Sequence, residues 1–237
     1  MFKFIFPVFL LLSLMACNQP QATTYHDVQI TGAMKQVMWQ GELFSKINLD
    51  TITNKSGLYG LGPESYLTGE ILINNGEAYV SRVLPDSSMT VEKTFGTGAP
   101  FLVYANVETW TSTTLPDSVT NIKDLEIYID QKTKNKKRPF AFILTGQISK
   151  AVIHVQNLPE GSKVSSPDEA HQGQVDYILS DEAVEIVGFF STEHQAVFTH
   201  HDSFLHMHLI TKDEKQMGHL DRVEFKPGAV SLYLPKK

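Results

Sequence analysis

The chain has 237 residues, a formal net charge of −6 and 42% hydrophobic residues. This acidic balance argues against nucleic-acid binding through phosphate contacts, which require a basic face. The ordinary apolar content excludes a wholly disordered chain, and the length suffices for one large domain or two small ones that share a core.

The first residues, MFKFIFPVFLLLSLMAC, place one lysine ahead of an apolar run that is too short to span a bilayer comfortably. We interpret residues 1–16 as a lipoprotein signal peptide, because Leu14 to Cys17 fit a lipobox and Cys17 would become the lipidated N-terminus. The alternative is an ordinary secretory signal followed by a chance cysteine. Cys17 is the only cysteine, so no intramolecular disulfide can form. We therefore expect an exported, membrane-anchored protein in the periplasm or on the cell surface.

Residues 17–24 are polar and lack apolar periodicity, which is typical of a flexible tether. The folded part should then comprise residues 25–237. We expect an N-terminal subdomain over about residues 25–150 and a C-terminal subdomain over about residues 151–237.

Alternating apolar and polar residues recur through most of this part and predict a mainly β fold of the α+β class. In chain order, AMKQVMWQGELF carries a helical stripe, and GEILINNGEAYVSRV predicts a hairpin with a tight turn at Asn75-Gly76. The segment VTNIKDLEIYIDQKT could be a capped helix or a strand. Further strands are predicted at PFLVYANVE, PFAFILTG, AVIHVQNL, AVEIVGFF, SFLHMHLIT, HLDRVEF and AVSLYL.

Two other segments have no predicted site. The run KTKNKKRP is rich in basic residues, but no aromatic side chains interleave with them, so we interpret it as a solvated connection. The segment SGLYGLGPE is rich in glycine but lacks the Gly-Lys-Ser/Thr ending of a phosphate-binding loop.

Six of the nine histidines fall between residues 194 and 219. His206 and His208 are two residues apart in one predicted strand, so both side chains project from one face with Cα atoms about 6.5 to 7 Å apart. Leu205, Met207 and Leu209 would then face a core. Lys212 to Met217 would form a turn, Gly218 would let the backbone start back, and a returning strand would bring His219 alongside the pair.

Three neutral imidazoles suit one zinc ion and leave a coordination position open for water or substrate. The competing interpretation is that His-x-His is the polar face of a half-exposed strand. His200 and His201 precede the strand in a predicted loop, where they could line a pocket or be incidental. A carboxylate should accompany the metal if the chemistry involves proton transfer, and Glu70 at the start of the hairpin is our candidate, although spacing alone does not select it.

With these residues in order, the chain resembles the acetolactate decarboxylase family from about Tyr25 to its C-terminus. The resemblance rests on GLGPESYLTGEILINNGEAYV, on Val187-Gly188-Phe189 and on HMHLITKDEKQMGH. It implies an acetolactate-decarboxylase-like pair of β-sheet subdomains with the metal site on a C-terminal hairpin. It also implies one zinc ion on His206, His208 and His219, with Glu70 at the metal.

The implied reaction is the zinc-dependent decarboxylation of 2-acetolactate to acetoin and CO2, as in the acetoin and butanediol pathway. The partners would be a small 2-hydroxy-3-oxo acid substrate and, through the lipid, a membrane. The sequence leaves open whether the protein forms a homodimer.

The sequence departs from the family pattern at three places. The family has an active-site arginine where Gln156 stands here, with His154 nearby; His154, Lys150 or Arg222 could take its place. A threonine of the family is replaced by Pro63, and a glutamate near the family's C-terminus has no counterpart.

These departures keep two other readings open. One is a non-catalytic or altered-substrate metal-binding lipoprotein with the same fold. The other is a cupin, whose glutamate should follow the histidine pair by four or five residues, whereas Glu214 follows His208 by six.

Overall fold

A computed structural model describes residues 23–236 of the protein. The predicted signal peptide, Cys17 and most of the predicted tether lie outside these residues. Over residues 23–236, none of the helices has the length and apolar character needed to cross a membrane.

Three α-helices and fourteen β-strands form within this part of the chain. The helices are α1 (Met34–Gln40), α2 (Ile122–Lys132) and α3 (Pro167–Ala170). Two short 3-10 helices cover Leu49–Thr51 and Ser65–Leu67. The strands are β1 (Gln29–Thr31), β2 (Ile47–Asn48), β3 (Leu58–Pro63), β4 (Glu70–Asn74), β5 (Glu77–Val83), β6 (Met89–Lys93), β7 (Gly98–Ala99), β8 (Leu102–Asn106), β9 (Trp110–Thr114), β10 (Phe140–Val155), β11 (Val175–Ser180), β12 (Ala183–Phe190), β13 (Leu205–Thr211) and β14 (Met217–Pro235).

The strands form two six-stranded antiparallel sheets and one small pair, β2–β7. The N-terminal sheet has the order β1-β8-β3-β4-β5-β6, and the C-terminal sheet has the order β11-β10-β12-β13-β14-β9. Strand β14 also pairs with β10, so β10, β12, β13 and β14 close into a ring. Such closure pairs the backbone groups that an open sheet would leave free at its edges.

Alternation along the strands of the C-terminal sheet produces two apolar faces. One face, including Phe142, Met207 and Leu220, fills the ring and packs against Leu125 and Ile129 of α2. The other face packs against side chains of the N-terminal sheet. The two sheets therefore share one core, and any polar side chain on the second face lies between the sheets.

The α+β, predominantly β fold class predicted from the sequence is confirmed. Strands β4 and β5 form the predicted hairpin, with Asn75 and Gly76 at the positive φ angles of its turn. The ambiguous segment after residue 118 contains helix α2, which begins after Asn121, whose side chain accepts hydrogen bonds from two backbone N–H groups. This capping explains why the helix forms.

Two details of the predicted elements were wrong. PFAFILTG and AVIHVQNL lie in one strand, β10, and HLDRVEF and AVSLYL lie in one strand, β14. The expected breaks are irregularities in register, one of them beside Gly146, where a Cβ atom would lie 2.0 Å from the Ala229 carbonyl oxygen. The chain leaves the N-terminal sheet after β8 and joins the other sheet at β9, so the expected subdomain limit near residue 150 falls inside β10.

Gly188 in β12 lies against the ring of Phe142, and a Cβ atom there would approach that ring to 2.2 Å. Substituting Gly188→Ala should lower the free energy of unfolding by roughly 1–3 kcal/mol, because the packed core must shift to admit one methyl group. Urea denaturation measures the change. The control is Gly96→Ala, where the nearest atom among residues 23–236 is the Thr94 hydroxyl at 3.2 Å. Equal effects in the two variants would contradict the packing argument.

Candidate metal centre

Three histidines meet on the face of the C-terminal sheet that turns towards the N-terminal sheet. In the β13–β14 pair, His208 lies directly opposite His219, and His206 follows on the same face of β13. Leu205, Met207 and Leu209 point the other way into the core of the ring, as predicted. The strand alternation that buries these apolar side chains therefore also directs the two imidazoles of β13 to one place.

The turn that brings His219 back differs from the prediction in one respect. It covers residues 212–216 and uses Glu214 at a positive φ angle, whereas Gly218 lies within β14. A Cβ atom on Gly218 would lie 2.4 Å from the His154 carbonyl oxygen. Gly218 is therefore needed for the close approach of β10 and not for reversing the chain.

The spacing of the three rings suits a shared ion. One ring nitrogen of each of His206, His208 and His219 lies within 4.8 Å of one from each of the others. The ring centroids are 5.0, 5.2 and 5.4 Å apart. Imidazoles bound tetrahedrally to one zinc ion at about 2.1 Å would have centroids about 5.2 Å apart.

The electrostatic state of the three rings also suits a cation. Burial lowers the pKa of His206 and His219 well below the usual value and lowers that of His208 to about 3, so all three are neutral at pH 7. The Nε2 atom of His208 is buried without a hydrogen-bond partner in the described part of the chain. Buried polar atoms are seldom left unpaired, so this nitrogen is suited to a metal ion.

Glu70 reaches this group from the N-terminal sheet. It is 3% exposed, and its two oxygens lie 3.6 Å from His208 Nε2 and 3.9 Å from His154 Nε2. Burial raises the pKa of Glu70 well above its usual value. A hydrogen bond from the backbone N–H of Gln156 lowers this pKa in part, and the negative charges of Asp221 and Glu64 raise it. A divalent cation beside Glu70 would favour its ionised form.

His154 continues the row of imidazoles onto a third strand. It lies opposite His219 in the β10–β14 pair, and the two rings are 4.7 Å apart. Its Nδ1 is 2.8 Å from Asp221, which the register places at a bulge between Leu220 and Arg222. The sequence did not indicate Asp221, because regular alternation does not reveal a bulge, which changes the direction of one side chain locally.

A cavity of about 180 Å³ opens beside the centre. Its apolar wall includes Met34 and Trp39 of α1 together with Phe101. The residues that give it polar character are Glu70, His154, Gln156, His171, His200, His201, His206 and His219.

The two predicted loop histidines both line this cavity. His200 Nε2 is 3.1 Å from His219 Nε2, so His200 contacts one of the three clustered imidazoles directly. His171 was missed because it stands alone in a polar segment near α3, where no spacing pattern marks it.

The family model for alpha-acetolactate decarboxylase matches residues 28–236. The chain belongs to the alpha-acetolactate decarboxylase family. Membership and fold support a decarboxylase-type function. No curated protein has a significantly similar sequence.

Solved structures agree with this family in fold. An alpha-acetolactate decarboxylase from Bacillus subtilis strain 168 is 20% identical with a TM-score of 0.72, and the match covers 89% of this chain and 86% of that one. A Staphylococcus aureus protein of unknown function, described as similar to alpha-acetolactate decarboxylase, is 16% identical with a TM-score of 0.73 and the same coverage. Identities this low establish the fold alone.

The residues considered as substitutes for the family arginine lie in two different places. His154 and Gln156 line the cavity, as does Pro63, which stands where the family has a threonine. Lys150 and Arg222 line a different groove beside the start of α2. Glu214, the glutamate considered for a cupin, accepts a hydrogen bond from Tyr79 and pairs with Lys93 away from the three histidines.

The segment that leads into Glu70 is held by a second glutamate. Glu64 accepts hydrogen bonds from Arg82 and from Thr97, and its backbone N–H donates to the Gly69 carbonyl at 2.8 Å. Burial would raise the pKa of Glu64, but the hydrogen bonds from Arg82 and Thr97 outweigh it and the pKa lies below its usual value. An ionised Glu64 therefore fixes the entry to β4 in this family member.

The substitution His208→Ala should release most of the bound metal while the fold persists, because one of three ligands is lost and the core of the ring is untouched. Metal per chain after dialysis, measured by mass spectrometry, should fall from about one to under about 0.2. His26→Ala is the control, since His26 is exposed. Equal metal content in the His208→Ala variant and the parent would reject the ligand assignment.

Proposed function

We propose that the protein is a zinc-dependent decarboxylase that converts 2-acetolactate to acetoin and CO2. The observation that carries this proposal is the meeting of three neutral, buried imidazoles with a buried carboxylate at the edge of a small cavity. His206, His208 and His219 would hold the metal. Zinc suits such a nitrogen ligand set and leaves room for substrate oxygens.

When bound, zinc would supply Lewis-acid stabilisation, worth several kcal/mol, of the charge that develops on the substrate oxygens as CO2 leaves. The remaining roles fall to the chain itself. Glu70 lines the cavity beside His208, so its carboxyl group is placed to carry the proton that the substrate carbon accepts after CO2 is lost. Met34 and Phe101 form part of an apolar wall that limits access of water.

A second candidate is a metal-binding protein of the same fold that does not decarboxylate acetolactate. It is favoured by one observation: none of the side chains that line the cavity in the described part of the chain is a lysine or an arginine. A substrate carboxylate would thus lack the bidentate partner that a guanidinium provides. Metal retention without acetoin formation would support this candidate.

Purified mature protein loaded with zinc should release acetoin from racemic 2-acetolactate faster than the spontaneous reaction. Glu70→Gln should keep its metal and lose turnover by about 10²–10⁴-fold, the usual contribution of a positioned acid or base. The matched control is Glu77→Gln on the same hairpin, where the glutamate is exposed. No acceleration by the parent protein would remove the decarboxylase proposal, and full activity of Glu70→Gln would remove the role of Glu70.

We also propose that the protein is exported and anchored through a lipid on Cys17. The support is the sequence pattern of residues 1–17. Expressed in a bacterium, the full chain should partition with the membrane fraction, and Cys17→Ser should move it to the soluble or secreted fraction. Recovery of both forms in the same fraction would contradict the anchor.

A further inference from the structure

Gln156 lines the cavity and carries an unpaired amide oxygen. The residue follows directly after β10, is 3% exposed and lines the cavity. Its Oε1 atom has no hydrogen-bond partner among the described residues. Buried acceptors are nearly always paired, so this oxygen requires a donor from the contents of the cavity.

The contents of the cavity change when a substrate binds. A volume of about 180 Å³ has room for several water molecules in the free protein, whereas the Oε1 atom is itself buried and has no partner among the described residues. A ligand that presents a hydroxyl group can pair this oxygen, and a ligand without a donor leaves it unpaired. That penalty discriminates between ligands according to the donors they present.

The charges around Gln156 indicate which chemical group would donate. The cavity lining described above contains no lysine or arginine, and Lys150 and Arg222 lie along a different groove. An amide oxygen accepts from a hydroxyl group and does not attract a carboxylate. His154 is two residues earlier and also lines the cavity, with its ring held by Asp221.

We propose that Gln156 is a specificity-determining residue that accepts a hydrogen bond from the hydroxyl group of a small 2-hydroxy acid. The inference rests on the proposed function, since it names the group of the substrate that the same site binds. The unpaired amide oxygen then binds the hydroxyl group, and the described lining of the cavity offers no lysine or arginine to the carboxylate.

Two probes test this recognition because they differ by one hydroxyl group: 2-hydroxyisobutyrate and isobutyrate. Calorimetric titration of the zinc-loaded protein measures the ratio of their affinities. Gln156→Leu should lower the preference for the hydroxy acid about tenfold, the value of one neutral hydrogen bond. Zinc itself favours the hydroxy acid in every variant, so the change between variants isolates the effect of Gln156.

Two further variants accompany Gln156→Leu: a control and a variant that is expected to gain affinity. Gln147→Leu, on the exposed part of β10, should leave the ratio unchanged. Gln156→Arg should tighten isobutyrate binding about tenfold, because it adds a charged donor for the carboxylate. This gain shows only that position 156 faces the ligand, so Gln156→Met, which keeps nearly the same volume without the amide, supplies the ratio if Gln156→Leu folds poorly.

An unchanged ratio in a metal-replete Gln156→Leu protein would overturn the proposal, as would equal binding of the two probes by the parent. The binding test does not depend on turnover. If acetoin is not formed but the Gln156-dependent preference is present, the decarboxylase proposal fails and this inference stands. If acetoin is formed and the preference does not depend on Gln156, the decarboxylase proposal stands and this inference fails.

Discussion

The antiparallel pairing of β13 with β14 is the constraint on which the candidate metal centre depends. Its register places His208 opposite His219, and strand alternation places His206 on the same face. A shift of one residue would turn β13 over, sending its histidines into the core of the ring and its leucines between the sheets. Burial of Leu205, Met207 and Leu209 opposes that shift, so the packing of the ring also stabilises the geometry of the site.

The packing of the two sheets brings a carboxylate to the three imidazoles of the β13–β14 hairpin. Three imidazoles on one sheet could hold a cation, but the carboxylate comes from the start of β4 in the other sheet. This packing buries Glu70, which raises its pKa, and it also places Glu70 beside His208. The two sheets must therefore associate before the group is complete, which links the stability of the shared core to the chemistry of the site.

The protein combines features expected of a decarboxylase with a cavity whose described lining contains no lysine or arginine. Imidazoles, one carboxylate and one amide are the polar groups of this lining, and Gln156 stands where the family pattern predicts a positive charge. A protein that lacks a fixed cation at this place must orient its substrate by hydrogen bonds or through the metal. This difference in charge is the physical basis for the two functional candidates and for the proposed role of Gln156.

The sequence by itself determined the fold class, the β4–β5 hairpin and the grouping of His206, His208 and His219, because these follow from local periodicity and turn chemistry. It identified Glu70 only through family resemblance, since no local pattern distinguishes a buried strand-end glutamate from an exposed one. Only the tertiary structure decided that β10 and β14 are continuous, that Asp221 holds His154 and that His171 and His200 reach the cavity. These features depend on bulges and on contacts between distant strands, which local alternation does not encode.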